Sequence, residues 1–178
     1  PGTHKLIGFA RRTQGLIVAR GNPLGVRQLA DVAARGARFV NRPLGTGTRV
    51  LLDELLARQA LSPSAIQGYA HTEPSHAAVA HAVASGAVDA GLGIEVAARA
   101  SRLDFIPLVS ENYFLVCLKS TLELPSTQTL LGILRSEAWQ RKLAAMPGYQ
   151  PQQSGEVLSM RRVLPWWNFR TPKAGKRG

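Results

Sequence analysis

The sequence predicts an α/β domain built on a mainly parallel sheet, and three observations carry that expectation. Short apolar, β-like runs alternate with short helical segments along most of the chain. Apolar residues make up 45% of the chain and aromatics only 6%, so the core is built on Ala, Val and Leu. At 178 residues the chain is long enough to bury a real core, as one domain or as two small lobes.

In order along the chain, Leu6 to Phe9 and Gly15 to Ala19 read as strands. Asn22-Pro23-Leu24-Gly25 reads as a turn, and Val26 to Arg35 as a short helix with apolar residues at 26, 29, 32 and 33. A strand over 37–40 leads into a glycine- and threonine-rich stretch, after which periodicity predicts a helix over about 49–60. Ser62-Pro63 starts a further turn or short helix, and 66–70 is a candidate strand. Residues 75–85 carry clear helix signals, with Ser75 as N-cap and Gly86 just past the end. Val88 to Ile94 reads as a strand of small residues, which lets a neighbouring backbone approach closely. Helix 95–101, strands 104–109 and 112–118, and a helical stretch 126–145 broken at Ser136 complete the pattern.

The formal charge is +11, but it is unevenly placed. Residues 1–49 hold nine Lys/Arg against one acid, Asp31; residues 50–160 hold seven against ten; residues 161–178 hold six and no acid. Basicity therefore belongs to the two ends, and 166–178 reads as a disordered, solvated basic tail. No RNA-binding signature, zinc spacing or basic heptad helix accompanies it. Cys117, the single cysteine, sits in the apolar run 113–118 as a buried strand residue and cannot form an internal disulfide. No run reaches the ~18 apolar residues of a membrane span, and no signal peptide is visible. A cytoplasmic location is expected, or a periplasmic one if a signal peptide lies upstream.

The most informative stretch is Asn41-Arg42-Pro43-Leu44-Gly45-Thr46-Gly47-Thr48-Arg49. A turn of this composition between a strand and a helix leaves backbone N–H groups pointing outward at the positive end of a helix dipole. Thr46, Gly47, Thr48 and Arg49 together suit a small oxyanion or carboxylate. Ordinary helix capping by Thr46 or Thr48 accounts for the same residues. Ser75 offers a second helix start with the same two readings, and Tyr113 has a hydroxyl that could line a cleft or merely pack. The stretch is neither a P-loop nor a dinucleotide fingerprint. His76 and His81 stand five apart, which is wrong for an i, i+4 metal pair. No nucleophile elbow occurs, Cys117 lacks a local activating group, and the acids are scattered. The expectation is a protein that is not an enzyme and needs no metal or other cofactor.

Several segments taken in order resemble a known family. They are Gln14 to Val18, Gly21-Asn22-Pro23, Phe39 to Arg42, Gly45 to Arg49, Gly68-Tyr69, Ser75 to Ala80, Asp89 to Ile94, Leu103 to Leu108 and Glu111 to Tyr113. Together they are similar to the type II periplasmic-binding-protein-like domain of the molybdate/tungstate-binding group, over about residues 5–165. In bacteria that domain is often fused to a helix-turn-helix DNA-binding module or to a molybdopterin-biosynthesis protein. The resemblance implies two α/β lobes joined by crossover strands, with an oxyanion such as molybdate or tungstate held between them. It assigns about 20–107 to the second lobe and the rest of 1–165 to first-lobe and crossover segments. It implies anion contacts from Thr46, Gly47, Thr48 and Arg49, with Ser75 and His76 matching the family's Thr-His at the next helix start. Tyr113 matches a family tyrosine, although Asn112 departs from the usual aspartate nearby. Family members usually carry another ~70 residues before the first crossover, so the first lobe is expected to be incomplete in this chain.

The functional expectation is a non-catalytic sensor or solute-binding domain for molybdate or tungstate. The alternative is the effector domain of a transcription regulator that recognises a small organic anion. Its DNA-binding module, or the transporter in a transport system, would lie outside this chain. Self-association through apolar surface near residues 6–18 is also expected.

Overall fold

In the computed structural model, which describes residues 3–166, the chain opens with β1 (His4–Val18), α1 (Leu29–Ala34), β2 (Phe39–Val40) and α2 (Gly47–Arg58). It continues with α3 (His76–Ala84), β3 (Ala90–Ile94), α4 (Glu95–Ala100) and β4 (Asp104–Leu118). Helices α5 (Pro125–Arg135) and α6 (Glu137–Ala144), strands β5 (Tyr149–Gln150) and β6 (Val157–Ser159), and α7 (Met160–Val163) complete it. The predicted tail beyond Trp166 lies outside the described residues.

The fold is α/β, as the sequence predicts. One sheet runs in the order β2-β3-β1-β4, with β5 and β6 also pairing with β1. Parallel pairing, the expectation for alternating strands and helices, joins β2 to β3. The long strand β1 makes the sheet mixed, because it runs antiparallel to both β3 and β6. Each 15-residue strand, β1 and β4, reads in the sequence as two shorter ones. The polar residues at their middles interrupt the apolar signal without interrupting the strand: Arg12 and Gln14 both bond across to Glu111.

Two corrections follow from local geometry. Residues 66–70 form a turn and not a strand. Gly68 takes φ +92, and a Cβ there would lie 2.1 Å from the Phe39 carbonyl oxygen. A single parallel bridge, Asn41 to Thr72, is all that the segment adds to the sheet. Cys117 is only partly buried: it lies with Leu115 at the margin of the Ile7, Leu131 and Leu134 cluster, on the face of β4 opposite the exposed Val116 and Leu118.

The chain divides into two units. The first takes the chain through Arg11, Asn112–Ala145 and the residues from Tyr149 on; the second takes Arg12–Glu111 and Met146–Gly148. In the second unit, alternation along the strands fills both faces of the sheet. Leu16, Phe39 and Leu92 pack with Leu29, Leu52 and Leu56 on one face. Ile17 and Val40 pack with Val79, Val83 and Phe105 on the other. The small residues of β3 are required by this packing, since a Cβ on Gly91 would lie 2.5 Å from Val79 Cγ1. In the first unit, Ile7 packs with Leu131 and Leu134, with Phe9 and Trp139 against them. Among the described residues no helix is long and apolar enough to cross a membrane.

Candidate functional site

Six of the seven predicted site residues lie at two helix starts of the second unit. Thr46 is the N-cap of α2: its hydroxyl donates to the Pro43 carbonyl at 2.8 Å and accepts from the Arg49 N–H at 3.3 Å. The N–H groups of Gly47 and Thr48 are thereby left without an intrahelical acceptor, as at any helix start. Gly45, at φ +87, makes the turn possible, and a Cβ on Gly45 or Gly47 would meet nothing within 4 Å. The glycine turn therefore faces open space. Capping and anion binding both describe Thr46, and the two roles use different atoms.

Ser75 caps α3 by accepting from the Ala78 N–H at 3.0 Å, and His76 is the first residue of that helix. The loops entering α2 and α3 are bonded to each other. Asn41, buried at the end of β2, donates its N–H to His71 O and accepts from the Glu73 N–H, and its side-chain amide donates to Tyr69 O. Arg42 then spans to the second loop, donating from Nη2 to the Pro74 carbonyl at 3.0 Å.

Charge is concentrated around these starts. Arg49 is 8% exposed, pairs with Asp53 at 3.3 Å and stacks its guanidinium 4.2 Å above the Tyr69 ring. The Tyr69 hydroxyl donates to the same carboxylate at 2.6 Å. Burial pulls the Arg49 guanidinium down, but its contacts with Tyr69 and Asp53 outweigh that and leave it above the ordinary arginine range. A pocket of about 370 Å³ opens between Pro43, Leu44, Arg49, Tyr69, Ala70 and Thr72. His76 Nδ1 is buried and unpartnered. Burial, and then the positive charges of Arg42 and Arg12, lower its pKa to about 4, so the imidazole is neutral at pH 7.

Tyr113, the seventh predicted residue, belongs to the first unit, where it is 42% exposed and meets Phe9 edge-on with ring centroids 5.8 Å apart. Four residues of the second unit's polar cluster are not among the predicted site residues, although three of them lie in the segments quoted above: Arg12, Gln14, Arg42 and Glu111. Arg12 and Gln14 meet Glu111 across β1 and β4, and Gln14 is fully buried with its side-chain carbonyl oxygen unpartnered. A glutamine opening the apolar run Gln14 to Val18 was the available signal for one of them. Nothing in the sequence pairs Arg12 with a carboxylate 99 positions away.

Comparison with known proteins places this geometry in context. The profile of a family described as the PBP superfamily domain matches residues 1–135. The uncharacterized protein YvgK of Bacillus subtilis (strain 168) is 37% identical over 153 residues, covering 86% of this chain and 49% of the relative. The chain thus spans about half the length of that relative. Among solved structures, Peb3 from Campylobacter jejuni is similar with a TM-score of 0.61 at 16% identity, over 83% of this chain and 68% of that one. L-phospholactate-bound PEB3 gives 0.57 at 16% identity over the same shares. The regulatory domain of CcmR from Synechocystis PCC6803, in complex with 2-PG, gives 0.59 at 17% identity over 73% of this chain and 64% of that one. At these identities the structural likenesses establish the fold.

Proposed function

The chain belongs to the PBP superfamily domain family, and from that premise we propose that it is a non-catalytic receptor domain for a small oxyanion such as molybdate or tungstate. One observation carries the reading. Two helices of 12 and 9 residues start from loops that are hydrogen-bonded to each other, and the glycine turn at one start faces open space. Helix starts of this kind present N–H donors and a positive dipole end to an anion without a full protein charge. The non-catalytic part of the reading is supported by the state of the polar groups. His76 Nδ1 has no hydrogen-bond partner, and Glu111 and Asp53 are tied to arginines, so none of these three described residues is held against a nucleophile.

A second reading, an effector domain of a regulator that recognises a small organic anion, draws on two observations. The 370 Å³ pocket beside Arg49 has room for more than a four-oxygen anion. The similar structures PEB3 and CcmR hold L-phospholactate and 2-PG respectively. In either reading a DNA-binding module or a transporter is the partner that uses the binding event.

Calorimetric titration with molybdate, tungstate, sulfate, phosphate and phospholactate tests both readings. Heat with molybdate or tungstate is the expected result. Heat with phospholactate alone transfers the assignment to the organic-anion reading, and no heat with any of the five overturns the receptor proposal.

A further inference from the structure

We infer that the anion held at the starts of α2 and α3 is a dianion anchored on Arg42, and that His76 takes up a proton when it binds; the inference rests on the receptor reading above. Arg42 differs from the guanidiniums of its unit that are held in ion pairs. Arg38 pairs with Asp89, Arg49 with Asp53 and Arg99 with Glu95. Among the described residues Arg42 has no carboxylate partner; it donates to a neutral carbonyl, that of Pro74, and its Nε is buried without an acceptor. Burial acts alone on it, pulling its pKa below the usual arginine range, with no carboxylate to push it back. A partly desolvated cation without a counter-charge is an unfavourable arrangement that an incoming anion corrects.

Charge around His76 points the same way. Its ring packs against β3, where a Cβ on Gly93 would lie 3.5 Å from Nδ1. The charged groups acting on it are Arg42, from the loop after β2, and Arg12, from β1, and it stands at the positive end of its own helix. Every one of these disfavours imidazolium. Two negative charges placed beside Arg42 reverse that field and raise the pKa of His76 from about 4. Affinity therefore rises as the pH falls from neutral toward that value, because the complex binds a proton that the free domain refuses. Two carboxylates of the cluster are already engaged: Glu111 by Arg12 and Gln14, and Asp53 by Arg49 and Tyr69.

Molybdate and perrhenate have the same tetrahedral shape and differ by one charge, so they isolate the dianion requirement. The full chain is expected to bind molybdate at least about 30-fold more tightly than perrhenate, the scale of one charge-assisted contact. Arg42→Gln is expected to remove most of that ratio, and Arg42→Lys, which keeps the charge, to retain much of it. At pH 6 the binding enthalpy of the wild type should change with the ionisation enthalpy of the buffer, reporting proton uptake, and that of His76→Gln should not. Circular dichroism melts establish that each variant is folded, and the lysine variant together with the wild-type ion pair decides the question if the glutamine variant is not. Wild-type protein that binds none of the anions refutes the receptor reading itself. Binding with equal affinity for the two ions, or an Arg42→Gln variant with the wild-type ratio, overturns the dianion inference and leaves the receptor reading standing. A buffer-independent enthalpy in the wild type overturns the role given to His76.

Discussion

A guanidinium that is only 8% exposed needs its counter-charge close by, and Arg49 finds it one turn along its own helix in Asp53. Tyr69 closes the group from below, stacking on the cation and donating to the same carboxylate. These partners give Arg49 a part in stability beside any part it takes toward a ligand. Asp53 is 42% exposed, which screens the pair, so Arg49→Ala is expected to cost about 1–2 kcal/mol from the ion pair and the stacking together. Urea denaturation measures it, and an unchanged midpoint would show that the network is ornamental. At this scale the sequence is legible where a partner lies within a turn: the Thr46 and Ser75 caps are local bonds over three residues. It is silent on Arg12 with Glu111, because only the pairing of two distant strands creates that contact.

The elements show a similar boundary. The break of the long helical stretch at Ser136 is readable because the serine caps α6 through the Trp139 N–H, with Glu137 in the first turn. Residues 66–70 are misread because Ile66 and Tyr69 suggest a strand, while Gly68 serves a close backbone approach that no local pattern reveals. That approach yields a direct test. Gly68→Ala places a methyl group 2.1 Å from a backbone oxygen at φ +92, and the strain and clash together should destabilise the fold by roughly 3 kcal/mol or more. Thermal melting checks this, and a loss below about 1 kcal/mol would mean that the 66–72 segment is free to move off β2. The joining of paired strand segments into β1 and β4 was hidden for the opposite reason: their polar centres look like turns and instead carry the Arg12, Gln14 and Glu111 cluster.

For the whole molecule, His76 ties stability to pH. Its folded pKa of about 4 lies below the ordinary value of 6.5. Above pH 6.5 neither state is protonated there and the full stability is present. As the pH falls from 6.5 to 4 the unfolded chain binds a proton that the ligand-free fold refuses, so stability falls, by less than about 3 kcal/mol because solvent screens the part-buried imidazole. Carboxylates contribute their own acid dependence, and the comparison with His76→Gln isolates the histidine. Urea midpoints at pH 7 and pH 4.5 should differ more in the wild type than in the variant. Equal differences would show that the imidazole is solvated.

The way the chain is shared between its two units has a consequence for the order of events during synthesis. Most of the second unit is one uninterrupted stretch, Arg12–Glu111, so it can assemble as soon as that stretch has left the ribosome. The first eleven residues of this chain emerge before it and yet belong to the other unit. Leu6 and Ile7 gain their partners on one side, Leu158 and Val157, only when the end of the chain has been made, and Ile7 packs against Leu131 and Leu134 of α5. A β-segment made before the second unit is thus completed after it. Until β6 is made, that side of the strand is an open apolar edge, the kind of surface for which a growing chain needs a chaperone.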